Sequence, residues 1–141
     1  MADLLERVLL PVANEEDAEA SCRALRPYVG ASVVACNVVE KAGGAPDKAS
    51  VEQREEEAED AFAAVREILG DVTDVETTIR YDTDVADGIF DAAADADATA
   101  IVFTPRGGSR WVRLLTGDVA MDLITENDRP VVVLPDGDEQ E

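Results

Sequence analysis

Short apolar runs recur along this chain, and an amphipathic stretch separates each from the next. Arg7-Val8-Leu9-Leu10-Pro11-Val12-Ala13, Ser32-Val33-Val34-Ala35-Cys36-Asn37-Val38-Val39, Thr99-Ala100-Ile101-Val102-Phe103 and Val131-Val132-Val133-Leu134 are all dominated by apolar residues. Runs of this kind suit parallel strands covered on both faces. One further strand pattern differs. Val75, Thr77, Ile79 and Tyr81 alternate with Glu76, Thr78, Arg80 and Asp82, a period of two that predicts one wet face and a place at a sheet edge.

Helical patterns fill the gaps. Residues 15–29 carry Ala18, Cys22, Leu25 and Val29 at helical spacing. Residues 50–69 open on a Ser50–Gln53 capping box, continue with an Ala58, Phe62, Val65, Leu69 stripe and stop at Gly70. Asp84 is placed to cap a helix over 84–96 with Val85, Ile89, Ala93 and Ala96 inward, and a last helix is expected over 117–127 with Val119, Ala120, Leu123 and Ile124. The order is therefore β-α-β-α-β-α-β-α-β. It predicts an α/β fold with an open five-stranded parallel sheet, right-handed crossovers and helices on both faces. At 141 residues and 15.0 kDa the chain is one domain. Its one long irregular connection, Glu40 to Asp47, holds Gly43, Gly44 and Pro46.

Charge narrows the function. There are 32 acidic and 12 basic residues, a net charge of −20 spread along the whole chain, and only Lys41 and Lys48 are lysines. Such a surface is poorly suited to nucleic acid, whose backbone is also negative. On a small domain it repels itself in ordinary buffer, whereas molar salt shortens the screening length to about 3 Å. The composition thus points to a salt-loving cytoplasm. Histidine is absent, which removes His-based zinc sites and a Ser–His–Asp triad. The two cysteines, Cys22 and Cys36, have neither metal nor disulfide spacing. No apolar run approaches the ~20 residues of a membrane span; a cytoplasmic protein without membrane contact is expected.

In open α/β sheets ligands bind at the carboxyl ends of strands, where strand order reverses. The loop after the first strand, Ala13-Asn14-Glu15-Glu16-Asp17, has no glycine, so it lacks the usual phosphate cradles. The loop after the fourth strand runs Thr104-Pro105-Arg106-Gly107-Gly108-Ser109-Arg110-Trp111-Val112-Arg113-Leu114-Leu115-Thr116-Gly117-Asp118-Val119-Ala120. Gly107 and Gly117, with nine residues between them, resemble the second and third glycines of the Gly-x2-Gly-x9-Gly-Ser/Thr nucleotide loop of the universal stress protein family. Arg7 to Val12, Val85 to Ala93 and Pro130 to Leu134 resemble that family's first strand, third helix and last strand. The resemblance implies an adenine-nucleotide alpha-hydrolase-like sheet ordered 3-2-1-4-5, one universal stress protein domain over residues 1–135 and an acidic flexible tail over 136–141. It also implies a homodimer joined through Val131, Val132, Val133 and Leu134, an unidentified protein partner, and a candidate nucleotide pocket of Val12, Ala13, Val39, Thr104, Arg106, Gly107, Gly117, Asp118 and Val119.

Three of those positions depart from the family pattern. Thr104, followed by Pro105, stands where the first glycine belongs. Asp118 replaces the small hydroxyl residue, and Ala13 replaces the acid that family members often carry near the base and ribose. A carboxylate at a helix start is favoured by the dipole and takes the place of a bound anion. Against this, Arg106, Arg110 and Arg113 put a quarter of the basic residues into eight positions, and guanidinium forks suit phosphate as well as neighbouring carboxylates. Trp111, the only tryptophan, suits a base, an arginine or an interface. The expectation is a dimeric regulatory module with ATP binding weak or lost, no catalytic residue and no metal ligand. The alternative is an ATP-binding member with nucleotide-dependent signalling or slow hydrolysis.

Overall fold

The computed structural model describes residues 4–12, 14–40, 48–82, 85–103 and 129–134. In chain order these form β1 (Arg7–Pro11), α1 (Glu15–Leu25), a short 3₁₀ turn (Arg26–Tyr28), β2 (Ser32–Glu40), α2 (Lys48–Leu69), β3 (Asp74–Asp82), α3 (Val85–Ala96), β4 (Ala100–Phe103) and β5 (Val131–Val133). All strand pairs are parallel and the sheet is ordered β3-β2-β1-β4-β5. The expected helix over 117–127, the Asp84 cap and the 136–141 tail lie outside the described residues.

The apolar runs are explained by burial on two sides. Val8, Leu10, Val12, Val33 and Ala35 face a layer made by Ala18, Cys22 and Leu25 of α1 and Phe62, Val65 and Leu69 of α2. The alternate residues Leu9, Val34, Cys36, Val38, Ile101 and Phe103 face Ile89, Ala92 and Ala93 of α3. Fully burying one such aliphatic or aromatic side chain contributes about 1.5–3 kcal/mol. The edge position of β3 follows its alternating pattern.

Three details differ from the expectations. α1 closes at Leu25 rather than at Val29, because Pro27 has no N–H for the next helical bond; Val29 instead packs on the core from beyond the helix. α2 begins at Lys48, so Ser50 and Gln53 sit inside its first turns and do not frame its start. Tyr81 is 45% exposed and not on a buried stripe. Its hydroxyl donates to Glu55 of α2.

The amino ends of the strands are clamped by side chains. The Arg7 guanidinium donates to the Ala96 carbonyl at 2.6 Å, to Ser32 Oγ at 2.9 Å and to both Glu76 oxygens at 2.9 and 3.2 Å. Glu76 is in turn held below the usual carboxylate range by Arg7. Arg129 donates to the Ala98 carbonyl at 3.0 Å. With this end of the sheet bound up in structural contacts, the carboxyl ends are where a ligand can be met.

The two thiols lie on opposite faces of the sheet, Cys22 under the α1–α2 layer and Cys36 under α3. Burial is the main cause that pushes each up to about 12. Asp17 adds to the rise at Cys22, and Arg80 opposes it at Cys36. Thiolate is the reactive form. The folded protein should therefore leave a disulfide reagent untouched at mildly alkaline pH, with both thiols appearing together as the protein unfolds. Rapid titration of either cysteine in the folded protein would contradict the packing.

Candidate functional site

At its carboxyl end β1 leaves the sheet. The ladder to β2 ends at the Pro11–Cys36 pair. One residue on, the Val12 N–H donates to the Cys36 carbonyl at 2.8 Å, and the Val12 carbonyl accepts from Asn37 Nδ2, also at 2.8 Å. Both main-chain polar groups of Val12 are thus engaged. Its side chain is fully buried. Val39, two residues beyond Asn37 on the same face of β2, is 4% exposed. The structure brings these two expected pocket residues to the carboxyl ends of neighbouring strands, where their side chains belong to the core.

The chain then turns into α1. Asn14 is extended and its side chain accepts from the Asp17 N–H at 2.8 Å, while its carbonyl accepts from Ala18 at 2.9 Å. That is an N-cap with acids at Glu15, Glu16 and Asp17 in the first turn, where the helix dipole favours them. Glu15 and Glu16 are exposed and Asp17 is fully buried. The positive end of α1 is therefore satisfied by the helix's own groups. Among the described residues no group of three or more His, Cys, Asp or Glu side chains is arranged to hold a metal ion.

On the other side of β1, β4 ends at Phe103, whose carbonyl accepts from the Leu134 N–H at 2.9 Å. β5 is the second edge of the sheet. Val131 and Val132 are half-buried against the two core layers, Leu134 is buried, and Val133 is 51% exposed. Ala13, Thr104, Arg106, Gly107, Gly117, Asp118 and Val119 lie outside the described residues, as do Arg110, Trp111 and Arg113.

Asn37 is the residue that sequence reasoning passed over. It is a lone amide within Ala35-Cys36-Asn37-Val38-Val39 and it is 5% exposed. A buried amide needs partners, and this one takes a carbonyl at the point where β1 turns toward α1. The signal was present as a polar residue interrupting an apolar run.

The universal stress protein family matches residues 5–135. No curated protein matches the sequence. Among solved structures, a protein of the universal stress protein family from Burkholderia pseudomallei superposes with a TM-score of 0.68 at 17% identity, covering 96% of this chain and 99% of that one. The universal stress protein from Archaeoglobus fulgidus in complex with dAMP gives 0.63 at 22%, covering 94% and 99%. A universal stress protein in complex with cAMP gives 0.57 at 14%, covering 93% and 97%.

Proposed function

Because the chain belongs to the universal stress protein family, matched from residue 5 to residue 135, we propose that it is a dimeric, cytoplasmic regulatory module of the stress response with a degenerate nucleotide loop. ATP binds it weakly or not at all. The observation that carries this reading is Asp118, which sets a carboxylate directly after Gly117 where the family pattern has a small hydroxyl residue. Thr104-Pro105 and Ala13 add to it. The described residues of the proposed pocket support the same reading. Val12 has its amide and carbonyl engaged, and the first turn of α1 is acidic. The −20 charge with only two lysines supports an acidic, salt-adapted member of the family.

One observation favours the second reading, nucleotide-dependent signalling or slow hydrolysis. Arg106, Arg110 and Arg113 are concentrated in the same loop, and relatives of the same fold are known with dAMP and cAMP bound. Protein purified in high salt separates the two. The proposal expects an absorbance ratio free of nucleotide and no nucleotide in the mass spectrum of an extract. Stoichiometric adenine nucleotide in that extract would establish the second reading instead.

The dimer is proposed through β5. An apolar edge strand is normally paired or covered, and two copies meeting about a two-fold axis would pair it. Val133 is the side chain to test, since Val132 also packs on the core. Sedimentation in high salt should give a dimer, and Val133→Asp should give a folded 15.0 kDa monomer. A monomeric parent at micromolar concentration would refute the interface.

A further inference from the structure

The opposite edge of the sheet, β3, has no further strand beside it among the described residues and is built differently. β3 runs nine residues in unbroken register with β2, from Asp74 against Ser32 to Asp82 against Glu40. The Asp74 N–H points to the Ala31 carbonyl. Backbone direction alternates along a strand, so Val75, Thr77, Ile79 and Tyr81 turn their N–H and C=O groups away from β2. Among the described residues, no backbone group accepts or donates to these four on the outer side.

Edge strands are usually blunted by shortness, proline, a bulge or lysine. β3 has none of these; the charges it carries, Asp74, Glu76, Arg80 and Asp82, fall at the alternate positions whose backbone groups face β2. Beside it lies a cleft of about 590 Å³ between β3 and α2, floored by Ile79 and Tyr81 and walled by carboxylates that include Glu52, Glu55, Glu56 and Glu59. Among the residues whose side chains are described, none that lines it is basic. A second copy of this edge would bring two such acidic walls together, which like charge opposes. The complementary occupant is an extended segment with alternating cations.

We propose that the β3 edge and the cleft beside it form a docking site for an extended, lysine- or arginine-rich segment of a partner protein, which adds to the sheet as a sixth strand. Main-chain bonds to Val75, Thr77, Ile79 and Tyr81 hold its backbone, as in other strand-addition complexes. Alternate basic side chains reach the α2 carboxylates, and their aliphatic stems cover Ile79 and the Tyr81 ring. In salt the long-range attraction is screened, but ion pairs at contact distance and the main-chain bonds remain.

The test uses a fluorescent peptide of alternating lysine and valine, matched in length to the nine residues of β3, with a glutamate–valine peptide as control. Anisotropy in about 1 M KCl should show saturable binding of the basic peptide alone. Glu52→Lys/Glu56→Lys should weaken it at least tenfold. Thr77→Pro removes an outward N–H without touching the β2 ladder and should abolish binding while circular dichroism and melting are kept. If that variant fails to fold, hydrogen exchange on the parent protein decides the matter: the peptide should slow the Val75, Thr77, Ile79 and Tyr81 amides specifically. No binding by the parent would overturn the proposal. So would binding that leaves those four amides unprotected, since it would mark mere adhesion to an acidic surface.

Discussion

The melting temperature of this protein should rise by at least about 10 °C between roughly 0.1 and 2 M KCl. The argument rests on magnitude. A folded chain of 141 residues approximates a sphere about 19 Å in radius, by the usual scaling of size with length. With a charge of −20 on that sphere, self-repulsion relative to the expanded chain costs roughly 13 kcal/mol at 0.1 M salt and roughly 4 kcal/mol at 2 M. Ion binding at the surface trims the difference. The exposed ion pairs Arg26–Asp71 and Arg80–Asp95 also weaken in salt, but exposed pairs contribute little to begin with. A residual gain of about 3 kcal/mol is enough, because a domain of this length shifts by about 3–5 °C per kcal/mol. Thermal melts in KCl and NaCl measure it. An unchanged melting temperature would remove the salt-adapted reading, and a rise confined to one cation would replace screening with specific ion binding.

The fold was legible because burial on both faces leaves a local mark. Leu9 and Leu10 are adjacent and both fully buried, as a strand between two layers requires. β3 was legible for the opposite reason, since one of its faces is wet. Tyr81 shows where the pattern misled: alternation identifies a face, not how far the core extends along it, and the core stops short of this residue. Pro27 closes α1 early through a missing N–H, although Val29 continues the helical spacing beyond it. The site was less legible. Val12 and Val39 stand at the carboxyl ends of neighbouring strands with their side chains in the core, and only the structure shows that the Val12 carbonyl is bound by Asn37. Such a bond joins residues 25 apart, so no local pattern encodes it. The burial of Asp17, in an otherwise ordinary acidic first turn, is likewise set by tertiary packing.

Restoring the family pattern at two positions should restore nucleotide affinity by roughly 30- to 1000-fold. In the proposed pocket Asp118 follows Gly117 where the family pattern has a small hydroxyl residue, and a carboxylate at contact distance from a phosphate repels it with no counterion between the two to screen them. Thr104 precedes proline, which favours extended backbone, and carries a branched side chain where a glycine would let backbone and phosphate approach. Removing one repulsion and regaining one or two charge-assisted hydrogen bonds is worth about 2–4 kcal/mol, which is the range stated. Ala13→Asp should add a smaller increment through the base or ribose. The phosphate term is local and survives molar salt, so the experiment can be run where the fold is most stable.

Calorimetric titration of ATP into the parent protein and into Thr104→Gly/Asp118→Ser, both in about 2 M KCl, tests the central claim most directly. The proposal of a degenerate loop predicts near-millimolar or undetectable binding by the parent and binding at least about 30-fold tighter by the double variant. Micromolar binding by the parent would contradict it and would make Arg106, Arg110 and Arg113 a working phosphate site.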